Sequence, residues 1–164
     1  MNAAVEVTRK LDLINRSLSP KKKFSVLLIE DDSDYSDILM LRLGQEKDLH
    51  VQVTSDPYEA AELLADKCYD LVITDWALSS LQAPNAIRKT DEILKMDPLL
   101  PAKWSSHRVP VLIISGDDHS RDVSRIYDFE YFQFVSFLPK QSGIEKIARK
   151  VSKILKPKMN PSLS

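Results

Sequence analysis

The sequence predicts an α/β protein: a doubly wound, five-stranded parallel sheet with helices on both faces. Nearly continuous apolar, β-rich runs alternate with segments of helical period along most of the chain. Strands covered on both faces read as such runs, and a regular strand–helix alternation implies parallel strands joined by right-handed crossovers. In addition, the residues able to do chemistry follow or end those runs, where ligand sites of such sheets lie.

Phe24 to Ile29 (FSVLLI) is the first strand. Residues 34–43 place Tyr35, Ile38, Leu39 and Leu43 near one helical face, and Gly44 supplies a stop. Val51 and Val53 alternate with polar neighbours, which marks a short edge strand. Asp56 then caps a helix, with Pro57 at its first position and Glu59 completing a capping box. Leu71 to Thr74 (LVIT) is a buried strand, followed by a helical segment near 85–96 and a loop over 97–108. Val109 to Ile114 (VPVLII) is the fourth strand, with Pro110 tolerated near its start. A helix is expected over 120–129 and the fifth strand over Phe134 to Leu138. The last helix has Ser142 as cap, Glu145 three residues on, and Ile144, Ile147, Ala148, Val151, Ile154 and Leu155 as its apolar stripe.

A chain of 164 residues and 18.7 kDa has room for one respectable core. The expected folded unit is 21–156, with an extension over 1–20 and a flexible tail over 157–164. Ala4, Val7, Leu11, Ile14 and Leu18 give the extension a helical pattern, either loosely packed or a contact for a dimer or partner. Net charge −1 and a pI near 6.3 provide no global field for nucleic acid or an anionic membrane. The single Cys68 excludes an intrachain disulfide and a thiolate zinc site. No apolar run is long enough for a membrane span, and the first 20 residues lack the apolar block of a secretory signal. The expected compartment is the cytoplasm.

Glu30, Asp31 and Asp32 stand where the first strand ends. Adjacent carboxylates repel, so a site that holds them together calls for a cation, and Mg²⁺ suits oxygen donors. The alternative is an acidic turn capping the next helix, a role open to Asp32 or Ser33. Asp75 follows LVIT, where a carboxylate screened by a metal can attack phosphorus. Ser115 offers a hydroxyl to a phosphoryl oxygen, and Gly116 lets the backbone come close. Lys140 ends FVSFLPK and offers an ammonium to a phosphoryl oxygen or to Asp75 itself. Each has an ordinary turn or surface reading in isolation. Their joint arrival at four strand ends is what points to phosphoryl chemistry. His50, His107 and His119 have no ligand-like spacing.

The ordered motifs VLLIEDD, LVITD, VPVLIIS and FLPK resemble the receiver domain of two-component response regulators, from about Lys22 to Leu155. The resemblance implies a flavodoxin-like sheet of strand order 2-1-3-4-5. It implies that Asp75 accepts a phosphoryl group from a histidine kinase or histidine phosphotransfer protein. Asp31, Asp75 and the Ala77 carbonyl would ligate Mg²⁺ (Mn²⁺ could substitute), with Glu30 acting through water. Ser115 and Lys140 would hold phosphoryl oxygens, helped by backbone N–H groups near Trp76, Ala77 and Gly116. Phe137 matches an aromatic switch position whose rotamer follows Ser115. Self-phosphorylation from a phosphodonor and autodephosphorylation would replace conventional substrate turnover. The output would be a contact with a downstream protein, and a homodimer is compatible with this.

The sequence departs from that pattern in places. Ser79 stands where a proline is usual, a glycine is missing from SSLQAPN, and Gln141 follows the lysine in place of proline. The interval from acceptor to serine is extended, mostly in KMDPLLPAKWSSHR, where Trp104, His107 and Arg108 offer a fold-back or a partner contact. These departures motivate a second reading, a receiver used for docking without phosphorylation. A phosphohydrolase is disfavoured by Ala77, which stands where such enzymes place a second acid. No segment is left over for a helix-turn-helix.

Overall fold

The computed structural model describes residues 24–78, 83–96, 108–116 and 129–159. Its strands are β1 (Phe24–Ile29), β2 (Leu49–Thr54), β3 (Leu71–Asp75), β4 (Val109–Ser115) and β5 (Phe132–Pro139). Its helices are α1 (Ser33–Gly44), α2 (Pro57–Asp66), α3 (Ala83–Met96) and α4 (Ile144–Met159), with a 3₁₀ turn over Lys140–Ser142. The sheet has five strands in the order β2-β1-β3-β4-β5, and every neighbouring pair is parallel. From β1 the chain goes out to β2 and returns to β3 on the other side. The order therefore reverses between β1 and β3, and this is where such sheets bind ligands.

The apolar runs divide by residue parity. Leu27 and Ile29 of β1, Val72 of β3, and Val111 and Ile113 of β4 face α2 and α3 through Ala60, Leu64, Ile87 and Leu94. Val26 and Leu28, Leu71 and Ile73, and Leu112 and Ile114 face α1 and α4 through Leu39, Leu43, Ile147, Val151 and Leu155. This explains why the inner strands lack polar alternation: both of their faces are core.

The fifth strand breaks its own parity. Val111 pairs with Phe134 but Leu112 pairs with Ser136, leaving Val135 as a one-residue bulge. Beyond it Phe137 lies opposite Ile113 and packs on the α2–α3 side, while Leu138 lies opposite Ile114 and packs on the α1–α4 side. A strict alternation from Phe132 would have put Ser136 on the α2–α3 side and Phe137 on the opposite face.

Several local expectations change. Ile38 is 56% exposed, because the buried face of α1 is Ser36, Leu39 and Leu43, at i, i+3 and i+7. Asp56 caps α2 by accepting from the Tyr58 N–H at 2.8 Å, but Glu59 does not reach the Asp56 N–H. The Thr54 hydroxyl stands between them: it accepts from that N–H and donates to the Glu59 carboxylate. Ser142 is not the cap of α4. The first turn closes on the Gly143 carbonyl, and Gly143 holds the positive φ of 85° that favours glycine. Glu145 turns instead to Arg42 of α1, at 2.7 Å. The backbone of α4 runs on to Met159, past the start expected for the tail.

The expected helix over 120–129 is described only at its last residue. The extension over 1–20, Ser79, Trp104, His107, His119 and residues 160–164 lie outside the described residues. Among the described residues no helix is long and apolar enough to cross a membrane.

Candidate functional site

At the carboxyl edge of β1 the chain turns through its acidic run. The Glu30 N–H still bonds the Thr54 carbonyl of β2, at 3.0 Å, and Glu30 is buried. Asp32 is the N-cap of α1: its side chain accepts from the Tyr35 N–H at 3.1 Å. Its own N–H donates to Glu30 Oε1 at 3.1 Å. The helix thus takes Asp32, leaving Glu30 and Asp31 on the site side. Asp75 ends β3 opposite Ile114, so strand pairing delivers it to the same edge. Glu30, Asp31 and Asp75 bring one carboxylate oxygen each to within 4.8 Å of one another, the only group of this kind among the described residues.

Lys140 arrives from the far side of the sheet, one residue after Pro139, which pairs with Ser115. Its Nζ donates to Asp75 Oδ2 at 2.8 Å and to Glu30 Oε1 at 2.9 Å. It also lies 2.7 Å from Glu30 Oε2, but off the direction of a hydrogen bond, so that buried oxygen has no hydrogen-bond partner. Burial pushes the Glu30 carboxyl above its ordinary value; Lys140 and the Asp32 N–H pull against this, and the Asp75 charge adds to it. Burial alone would lower the Lys140 ammonium, but its bonds to Asp75 and Glu30 outweigh that and raise it. Glu30 and Asp75 thus share one ammonium.

The other expected residues lie on or just beyond the carboxyl-end portions of β3, β4 and β5. Ser115 is buried at the end of β4, one residue beyond the partner of Asp75. Among the described residues, a side chain on Gly116 would meet nothing within 4 Å. The Ala77 N–H faces Asp75 Oδ1 at 3.4 Å. The Trp76 N–H instead donates to the Ile114 carbonyl at 2.8 Å, extending the β3–β4 ladder; that expected phosphoryl donor is taken by the sheet. The Trp76 side chain is buried on the α2–α3 side. Phe137 is half-buried on that same side.

In the sequence Gln141 stands out only as a departure from the family pattern and Tyr35 only as a position on the apolar face of the first helix; both border the site. The Gln141 side-chain amide donates to the Gly116 carbonyl, joining the ends of β4 and β5 where the family pattern has a proline. Tyr35 lays its ring against Lys140, with Nζ 4.6 Å from the ring centroid.

An all-oxygen set of three carboxylates that converge within 4.8 Å fits a hard divalent cation. Asp31, Asp75 and Glu30 fit Mg²⁺, and Mn²⁺ by the same chemistry.

The model of the response regulator receiver domain family matches residues 26–152. The chain belongs to this family. No curated protein matches the sequence. A Francisella response-regulator receiver domain is 20% identical, with TM-score 0.58 over 82% of this chain and 98% of that one. A sensor-kinase receiver domain from Pseudomonas aeruginosa PAO1, whose structure holds a magnesium ion in its active-site cleft, is 18% identical, with TM-score 0.58 over 82% and 98%. A histidine-kinase receiver domain from Syntrophus aciditrophicus is 21% identical, with TM-score 0.56 over 81% and 90%. At these identities the likeness is one of fold. This receiver fold carries an acidic cluster consistent with phosphoaccepting signalling.

Proposed function

We propose that this receiver takes a phosphoryl group on Asp75 from a histidine kinase or histidine phosphotransfer protein and signals by a changed contact with a downstream protein. An Asp75 carboxylate oxygen attacks phosphorus, the P–N bond of the phosphohistidine breaks, and the imidazole leaves with the electron pair and picks up a proton. Lys140 is already bonded to Asp75 and has only to turn to meet a phosphoryl oxygen. The Ser115 hydroxyl and the N–H groups of Ala77 and Gly116 are the proposed further donors. Mg²⁺ held by Asp31, Asp75, Glu30 through water and the Ala77 carbonyl would neutralise charge on the transferring group. Ser115 and Phe137 form the proposed switch, and residues 21–156 the proposed receiver unit, in the cytoplasm. Water attack on the acyl phosphate would reset it.

The observation that carries this reading is the meeting of Asp75, two further acids and Lys140 at one strand edge. Incubation with Mg²⁺ and phosphoramidate, followed by intact-mass measurement, tests it. Uptake is expected in the wild type and lost in Asp75→Asn. The second reading, docking without phosphorylation, is favoured by Gln141 in the place of proline and gains ground if the wild type takes up nothing.

A further inference from the structure

We propose that Tyr35 is a positioning residue for phosphoryl transfer, its ring forming the third wall of a cage that holds the Lys140 ammonium over Asp75. This deepens the phosphoacceptor reading and rests on it. The ammonium sits on a flexible four-carbon stem, and such stems spread over many rotamers unless something confines them. Glu30 and Asp75 form two walls, at 2.9 and 2.8 Å. The ring face of Tyr35, 4.6 Å from Nζ, forms the third, and the Lys140 side chain is left only 16% exposed.

The ring is itself fixed. Tyr35 lies in the first turn of α1, its N–H bonded to the Asp32 cap, and its side chain packs against the α1–α4 core. The acidic run therefore has two tasks: Glu30 and Asp31 line the site, while Asp32 orients the helix turn that carries the ring. The Tyr35 hydroxyl is buried without a hydrogen-bond partner, so the ring face alone engages Lys140. Burial pushes the phenol up to about 12, so it faces the ammonium as a neutral ring. Attraction of a cation to the ring quadrupole grows as water is displaced, and both partners here are partly buried. Once Asp75 is esterified, Lys140 loses a carboxylate partner. The ring keeps the ammonium at the site, where it meets a phosphoryl oxygen in place of the lost charge.

The test uses the full chain, Mg²⁺ and phosphoramidate. Tyr35→Phe keeps the ring and removes the hydroxyl, and its phosphorylation rate should stay within about twofold of wild type. Tyr35→Leu removes the ring and should slow the rate by about fivefold or more, with Mg²⁺ affinity from Trp76 fluorescence unchanged. Tyr35→Met, unbranched and better able to fill an irregular gap, repeats the test if the leucine variant folds poorly. In proton NMR the Lys140 ε-methylene should show an upfield ring-current shift in the wild type and Tyr35→Phe, absent in Tyr35→Leu; the wild-type measurement needs no variant. A wild-type rate in the leucine or methionine variant, a phenylalanine variant as slow as leucine, or an unshifted wild-type ε-methylene overturns the proposal. Failure of the underlying reading looks different: the wild type then takes up no phosphoryl group at all, and the role built on it falls too.

Discussion

Lys140 Nζ lies 2.8 Å from Asp75 Oδ2, across 65 positions of sequence. The same nitrogen bonds Glu30, across 110 positions. One ammonium thus closes the sheet edge from β1 through β3 to β5. The site's need for positive charge is built in before any ligand arrives.

Lys140→Ala would leave a fully buried Glu30 carboxylate without its ion pair. Breaking a buried pair typically costs about 3–5 kcal/mol, and partial exposure of Lys140 favours the lower end, about 3 kcal/mol. Because a divalent cation would replace the lost charge, Mg²⁺ should stabilise the variant more than the wild type. Urea unfolding in EDTA and in Mg²⁺ measures both. An equal Mg²⁺ gain in the two proteins would contradict the argument.

Glu30→Gln removes a buried anionic oxygen and one charge from the donor set. Mg²⁺ affinity should fall about tenfold, the effect expected for a residue that supports ligands through water. Trp76, next to Asp75 and buried, is the reporter for a fluorescence titration. Unchanged affinity would remove Glu30 from the cation site.

Asp91 is an acid on the buried face of α3, between Ile87 and Leu94. Its two oxygens accept from the N–H groups of Tyr131 at 2.9 Å and Glu130 at 3.3 Å, and Lys95 pairs with it at 2.7 Å. It ties α3 to the segment that starts β5. Asp91→Ala leaves those N–H groups unsatisfied and should cost about 2–4 kcal/mol; Asp91→Asn keeps one acceptor and should cost about half as much. Denaturant midpoints rank the two, and equal losses would argue against the paired-acceptor role.

How legible each feature was depends on how far its physical cause lies along the chain. β1, β3 and β4 were plain because two-sided burial writes itself as consecutive apolar residues. Asp75, Ser115 and Lys140 were legible because strand ends mark them. Asp91 was missed because its partners lie 39 and 40 positions away. The bulge at Val135 was hidden because it exists only relative to β4. Glu145 matched a local capping pattern, yet a partner 103 positions away took it.

That long-range pair sets a pH dependence. Hydrogen bonds from Arg42 chiefly hold the Glu145 carboxyl below its ordinary 4.5, against a small opposing effect of burial. A depressed carboxyl contributes stability above its unfolded value and loses it as pH falls through the lowered value. Glu145→Gln should therefore be slightly less stable than wild type at neutral pH, and the difference should shrink as pH falls through the lowered value. Thermal melts at low salt are the measurement. Both residues are surface-exposed, so added salt should shrink the neutral-pH difference. A gap that widens on acidification would reverse the sign and refute the assignment.

The β5 bulge makes the sharpest test of how Lys140 is delivered. Val135 is the unpaired residue, so deleting it should join Phe134 and Ser136 in a regular ladder against Val111 and Leu112. Phe137 would keep its place opposite Ile113, Leu138 opposite Ile114, and Pro139 opposite Ser115. The deletion should therefore cost only about 1 kcal/mol and preserve phosphoryl uptake, although it shortens a strand next to the site. One residue inserted between Phe137 and Leu138 should do the opposite. It turns Leu138 away from the α1–α4 core and moves Lys140 off the Asp75 edge, since a one-residue slip exchanges the faces of everything that follows. Uptake should then be lost while residual helix content persists. A deletion as damaging as the insertion would show that Val135 itself, and not the register it absorbs, holds the edge together.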